Sequence, residues 1–370
     1  MARYLSEDSL LEILIRLPVK SLLRFRSVSK SWNSLITSSN FITKQMNYND
    51  ANNCHTLVWC YYLESRKDTY ALHSDNENLD KMMDLSFCPS AVNEFFYIIG
   101  YAKGIVCLTD KYQRSDTVLL WNPSIRKYFT LSNPLYRPQM YELFMFNAVV
   151  GFGFDPLSND YKFVRVYNVE GMWKMHIFVL GTGCWTDAEI TSSFAAIRDT
   201  PATYFNGVLH WLSNDYLIMR FDLGTEKFTE MMLFSRESLP VLSEINNVSI
   251  SVWRGSLIVL SDRYGNTENW GTTCSLLVMK EYGDKESWTK LFEIRLESAH
   301  FNSITTNSRL IFFQSNDNAD LVDKIDVYDH ETRHTEHDVF QFEEPLIGLY
   351  ITPYIESLVL LKEGEDPCTL

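Results

Sequence analysis

The sequence predicts an α+β chain of two unequal units, a small three-helix head followed by a large all-β domain folded as a six-bladed propeller. Three observations carry that reading. The first 36 residues place large apolar side chains at helical spacing. Beyond residue 53 the texture changes to short β-branched and aromatic runs separated by Gly, Asn, Asp and Pro, with no long amphipathic helix. Those runs recur in pairs at a period of about fifty residues. At 370 residues, 46% hydrophobic and 22% charged, the chain has the length for a second core and an ordinary globular composition.

The head begins at Ser6, a good N-cap, with Glu7 and Asp8 placing negative charge on the positive end of a helix dipole. Leu10, Leu11, Ile13, Leu14 and Leu17 follow at helical spacing until Pro18 stops the run. A second helix holds Val19, Leu22 and Leu23 inside and Lys20, Arg24 and Arg26 outside; Ser29 can cap a third, bearing Trp32, Leu35 and Ile36. A unit this small cannot enclose so many large side chains, so some must face a partner. The polar, Asn-rich stretch that follows marks a junction. The division is thus 1–45 for the head, 46–53 for a linker and 54–370 for the β domain.

In the β domain, strand pairs start near Phe95, Val149, Thr203, Val248, Phe301 and Leu346, and each of the first five is followed by a second pair with a short turn. Four strands per period of about fifty residues is a propeller blade. The sixth lacks its outer pair, and Leu57 to Leu72, a strand-turn-strand stretch, can supply it. Closure of the ring by these N-terminal strands removes two open sheet edges and brings the head beside the last blade.

The order of residues in the head resembles the F-box: Leu5, the acidic pair Glu7 and Asp8, Leu17-Pro18, Lys20-Ser21-Leu22, Arg24-Phe25 and Val28-Ser29-Lys30-Ser31-Trp32 sit where plant F-box sequences place them. Ser6 departs from the family's proline; both residues are tolerated at a helix start, so adaptor binding is expected to be weakened but to survive. The β domain resembles the F-box-associated domain of the same plant proteins, including the S-locus members, at Gly104-Ile105-Val106-Cys107, Trp121-Asn122-Pro123, Gly151-Phe152-Gly153-Phe154-Asp155, Asn206-Gly207 with His210-Trp211, and Val278 to Gly283 with Ser287-Trp288. The paired glycines of a true kelch repeat are absent. The resemblance implies a non-catalytic substrate receptor of an SCF-type ubiquitin ligase. Its head would bind a Skp-type adaptor, and through it cullin and RING subunits, using Leu5, Leu10, Ile13, Leu14, Leu17, Pro18, Leu22, Leu23, Val28 and Trp32. Its propeller would hold a target protein for ubiquitination and degradation.

Target docking is expected on the variable loops of the face opposite the tight turns, because recognition gathers on variable loops held by a rigid scaffold. Tyr112, Arg114, Arg137, Tyr141, Trp173, Tyr264 and Trp270 lie there and are of anchor-forming types. The net charge of −14 is uneven: up to Met46 seven Lys/Arg stand against three Asp/Glu, leaving 26 against 44 for the rest. An acidic propeller repels nucleic acid and favours a basic protein partner, though such a surface can also serve solubility alone. Seven cysteines without a CxxC pair suit free thiols in a reducing compartment, and with no secretory signal or bilayer-length apolar run the reading is cytoplasmic or nuclear.

Candidate chemistry is thin. Gly151-Phe152-Gly153 and Gly181-Thr182-Gly183 do not complete a dinucleotide-binding motif and read as strand or turn glycines. His330, His334 and His337 with Glu331 and Glu336 could be grouped as metal ligands on a helix, but splay apart on a hairpin, so neither metal nor cofactor is expected. His210 beside Trp211 reads as a blade-closing residue, and Trp121, Trp185, Trp211 and Trp288 as packing between blades. The rival class is a propeller enzyme or glycan-binding lectin with an incidental helical head; co-purification of a Skp-type adaptor separates the two.

Overall fold

The computed structural model describes residues 6–74, 80–85, 96–109, 117–131, 148–169, 172–190, 201–213, 217–233, 247–264, 272–296, 304–305, 310–315, 322–329 and 332–359. Three short head helices form where expected, Glu7–Leu14 (α1), Val19–Phe25 (α2) and Lys30–Ile36 (α3). Ser6 accepts from the Ser9 amide at 3.2 Å, and Ser29 accepts from the Trp32 amide at 3.2 Å. The head carries a fourth helix, Ser39–Asn52 (α4), which corrects both the three-helix reading and the linker at 46–53. Ser38 caps it by accepting from the Phe41 amide at 3.3 Å. Its buried face consists of Phe41, Gln45, Met46 and Asn49, one side of a helix by spacing. Two of those four are amides, so no apolar stripe announces the helix.

Among the described residues beyond α4, every element but short 3₁₀ turns is a strand. Cys54–Tyr62, Asp68–Ser74 and Lys81–Leu85 are β1 to β3. Tyr97–Ala102, Ile105–Thr109, Val118–Asn122 and Lys127–Thr130 (β4 to β7) form one antiparallel sheet in chain order. Ala148–Asp155, Asp160–Val169, Met172–Val179 and Cys184–Glu189 (β8 to β11) form a second, and Thr203–Phe205, Val208–Leu212, Leu217–Asp222 and Lys227–Met232 (β12 to β15) a third. The fourth is Asn247–Trp253, Ser256–Tyr264, Thr272–Met279 and Trp288–Leu296 (β16 to β19). Ile304–Thr305, Leu310–Ser315, Val322–Asp329 and His334–Ile355 (β20 to β23) join β1 to β3 in a seven-stranded sheet ordered β20, β21, β22, β23, β1, β2, β3.

The propeller therefore has five sheets, not six. The cause is β23, which runs 22 residues and hydrogen-bonds to two partners in turn. Its first part pairs with β22, from Asp329↔His334 to Val322↔Leu346, and its second with β1, from Tyr62↔Leu346 to Cys54↔Ile355. What the sequence reads as a final hairpin, Leu346 to Leu361, is the second half of this strand followed by non-strand residues 356–359. The N-terminal strands do join the last sheet, as Trp59↔Tyr350 and Leu57↔Leu72 show, and there are three of them, one more than expected.

Tight turns close the inner hairpins. Lys103-Gly104, Asn206-Gly207 and Arg254-Gly255 all have positive φ at both residues, as a two-residue turn matching strand twist requires. Gly151 is a packing glycine: a Cβ there would lie 2.8 Å from both Ala202 Cβ and Leu209 Cδ1 of the next sheet. Trp211, 1% exposed, donates its indole N–H to the Val150 carbonyl at 3.1 Å, and Trp121 meets Tyr70 edge-on at 5.1 Å across another sheet boundary. These tryptophans therefore pack between sheets.

Antiparallel order sends the turns within strand pairs to one face of the ring and the connections between pairs to the other. The head rests on the short-turn face. Asp50 of α4 pairs with Lys103 of the β4–β5 turn, and Ile125, in the turn between β6 and β7, packs into the head's core. The Tyr161 hydroxyl donates to the Lys103 carbonyl at 2.8 Å beside Met46 of α4.

Candidate functional site

The ten apolar head residues divide by exposure. Leu14 and Leu22 are 1% and 0% exposed, in one cluster with Val19, Ile36, Phe41 and Leu358. Against their expected place on an adaptor face, both are buried here: the head uses them to pack on itself and on Leu358. Leu10, Leu17, Leu23 and Trp32 are half-buried at the margin of this cluster, with Trp32 edge-on to Phe25 at 5.3 Å. Pro18 is exposed, and Leu5 lies outside the described residues. Ile13 and Val28 stand out at 47% and 64% exposed. Both are aliphatic and open to solvent, so a partner can reach them.

Of the seven target-face residues, Tyr112, Arg114, Arg137, Tyr141 and Trp270 lie outside the described residues. Trp173 belongs to a strand, not a loop; it pairs with Asn168 at the start of β10 and packs half-buried on the core shared by the second and third sheets. Tyr264 is likewise the last residue of β17, opposite Thr272. Both mark strand ends on the face away from the head, as Thr109, Val118 and Ala148 do.

The residues with chemical potential are committed to structure. His210 is 1% exposed; its Nδ1 meets the Thr203 carbonyl at 3.1 Å and its Nε2 the Tyr282 hydroxyl at 2.8 Å. Burial pushes its pKa down to about 4, so it is neutral at pH 7 and ties the third sheet to the fourth. His176 sits between the Tyr167 hydroxyl at 2.9 Å and Asp187 at 3.2 Å within one sheet, its pKa lowered mainly by burial. Of the grouped histidines, His334 is exposed at the start of β23, while His330 and Glu331 lie outside the described residues; among those described, no three metal-type side chains converge. A cleft of about 320 Å³ separates α4 from the turns at Asn159 and Gly181. Of its polar lining, Asp160 is engaged, both carboxylate oxygens accepting from the Gly181 amide, at 3.0 and 2.9 Å, and Thr37 donates to the Asn33 carbonyl at 2.7 Å. The sequence reading missed the role of Leu358 in the head's core, because the run Ser357-Leu358-Val359 looks like any other buried strand.

A family model described as the F-box domain matches residues 4–44, and one described as the F-box associated beta propeller domain matches residues 57–333. A relative in Arabidopsis thaliana that carries an F-box name is 27% identical over 240 residues, 63% of this chain and 61% of its own length. An F-box/kelch-repeat protein of the same plant is 27% identical over 311 residues, 76% of this chain and 77% of its own. This chain thus spans about three fifths of the first relative's length. Among solved structures, TolB from Acinetobacter baumannii aligns with a TM-score of 0.47 at 10% identity, over 86% of this chain and 73% of that one.

Proposed function

We propose that this chain, which belongs to the F-box proteins bearing an F-box associated β-propeller domain, is a non-catalytic substrate receptor of an SCF-type ubiquitin ligase. The head docks on a Skp-type adaptor, and through it on cullin and RING subunits, in the cytoplasm, the nucleus or both. The propeller holds a target protein for ubiquitin transfer. The observation that carries this reading is that Ile13 and Val28 are open to solvent on a head whose other described Leu, Ile, Val, Phe and Trp side chains are buried or half-buried. Apolar anchors at an interface centre typically cost about 2 kcal/mol or more when removed, roughly 30-fold in affinity. Ile13→Asp and Val28→Asp, each exposed, are expected to weaken adaptor binding by about that factor singly and to abolish pull-down together, with the melting temperature unchanged. Full binding by the folded double variant would refute the docking face.

Target capture belongs on the long-connection face, since the head occupies the other. Replacing Arg137, Tyr141, Tyr264 and Trp270 together by alanine is expected to release proteins captured by the wild type. A control altering Asn206 and Thr225, exposed in two turns of the short-turn face, should keep them; Leu223 beside them is fully buried and is left intact. The reverse pattern would place the target face on the head's side.

A further inference from the structure

The segment Ile355–Val359, the last residue of β23 and the four after it, passes between head and propeller, gripping both. Extended chain presents alternate residues to opposite sides. Toward the head, Leu358 is 2% exposed inside the head's own core, beside Leu14, Val19, Leu22 and Phe41. Also toward the head, a Glu356 carboxylate oxygen accepts from the Val19 amide at 3.0 Å, capping α2, whose own N-cap, Pro18, makes no side-chain hydrogen bond. The Glu356 carbonyl accepts from the Asn49 side chain of α4 at 2.9 Å.

Toward the propeller the grip is equally specific. The Asn122 side-chain amide, fully buried, donates to the Ser357 and Val359 carbonyls at 3.2 and 3.0 Å. The Ser357 amide donates to Ser124 Oγ at 3.2 Å, and that hydroxyl also meets Tyr354 at 2.6 Å. Gly104, with φ +84°, leaves no room for a side chain against Ser357: a Cβ would sit 2.3 Å from Ser357 Cβ. A short extended segment is thus ordered from both sides at once.

We infer that residues 355–359 are a clasp that fixes the angle between head and propeller, with Glu356 as its positioning residue. The head is also held where α4 runs into β1 across Asn53 alone, by the Asp50–Lys103 pair and by Ile125 packed into its core. To these the clasp adds a hydrogen bond at the start of α2, from the Val19 amide to Glu356, and Leu358 inside the head's core. The purpose rests on the receptor reading above: a receptor must present its target at a set distance from the adaptor, and this clasp sets it. The geometry does not depend on that reading.

The test uses the full chain bound to a recombinant Skp-type adaptor. Glu356→Ala, Leu358→Ala and the conservative Glu356→Gln, which keeps an oxygen for the Val19 amide, are compared by amide hydrogen exchange, adaptor affinity and X-ray scattering. In the two alanine variants, exchange at residues 19–22 and 41–52 is expected to rise roughly tenfold while residues 148–279 keep wild-type protection. Adaptor affinity should stay within about threefold, because Ile13 and Val28 are untouched. Scattering should show a broader spread of head-to-propeller distances, and Glu356→Gln should restore the wild-type curve. Unchanged exchange and scattering in both alanine variants would overturn the clasp, as would loss of protection throughout the sheets or loss of the head's fold. Failure of the glutamine variant to rescue would remove Glu356 from the positioning role. If even the wild type binds no adaptor, the receptor reading fails, and exchange on the free chain still decides the clasp.

Discussion

A chain beginning at residue 75 is expected to be insoluble, while one beginning at Ser38 melts cooperatively. The shorter chain lacks β1 and β2, and β1 is an interior strand of the seven-stranded sheet, hydrogen-bonded to β23 on one side and β2 on the other. Leu57, Val58, Trp59, Cys60 and Tyr61 are all at most 5% exposed, so β1 is buried on both faces. Burial of one large apolar side chain contributes about 1.5 to 3 kcal/mol, against a total stability of about 5 to 15 kcal/mol. Losing five such residues outweighs any plausible margin. The cut would also bare the edge of β23 beside Tyr350 and Ile351, a template for pairing with other chains. Thermal denaturation and sedimentation of the two chains decide the matter, and equal melting temperatures would sink the closure of the ring by β1.

Some of this architecture was legible from sequence because its causes are local. A serine at Ser6 or Ser29 before an apolar run, or Asn206-Gly207 between two strands, dictates a cap or a turn within a few residues. The fifty-residue recurrence located the hairpins for the same reason, and Leu57 to Leu72 was found as the partner of the last strand by elimination. What stayed hidden depends on contacts distant in sequence. Helix α4 buries Gln45 and Asn49, whose polarity conceals its packed face, and the Asn49 amide donates to the Glu356 carbonyl, 307 residues on, while its oxygen accepts from Asn53. The merging of the last two strand pairs depends on β23 continuing through Pro345, where the sequence favours a break. In the head, the family resemblance implied the same adaptor-facing role for Leu14 and Val28. Core and docking face draw on the same residue types, so only the folded chain separates a leucine at 1% exposure from a valine at 64%.

Lys162→Met is expected to destabilise the propeller by about 3 kcal/mol at pH 7, the cost of leaving a buried charge without its partner. Lys162, on β9, is 6% exposed and its ammonium has three acceptors: the Leu223 carbonyl at 2.6 Å, Glu226 at 2.8 Å and Asp155 at 3.2 Å. An ammonium has three protons, so every donor is used. Two of the acceptors come from the β14–β15 turn of the next sheet, which makes this lysine a pin between sheets on the face that carries the head. Burial alone would lower the Lys162 pKa, but Glu226 and Asp155 outweigh it and the pKa is raised. Burial alone would raise that of Asp155; hydrogen bonds from Ser158, the Leu157 amide and Lys162 outweigh it and the pKa is lowered. The signs set the pH windows. The lysine's contribution is fully present below its unfolded value of 10.5 and is lost as pH rises through the higher folded value. The aspartate's is present above its unfolded value of 3.8 and is lost as pH falls through the lower folded value. The melting-temperature gap between wild type and variant should therefore be full at pH 7 and shrink as pH falls below 3.8 and Asp155 takes up its proton. In the variant Asp155 keeps its burial and loses its cation, so its pKa rises and the acid limb of its stability curve starts at a higher pH than in the wild type. Melting curves from neutral to acid pH measure both effects, and a gap that stays constant across that range would show that Lys162 acts through its methylene packing and not through its charge.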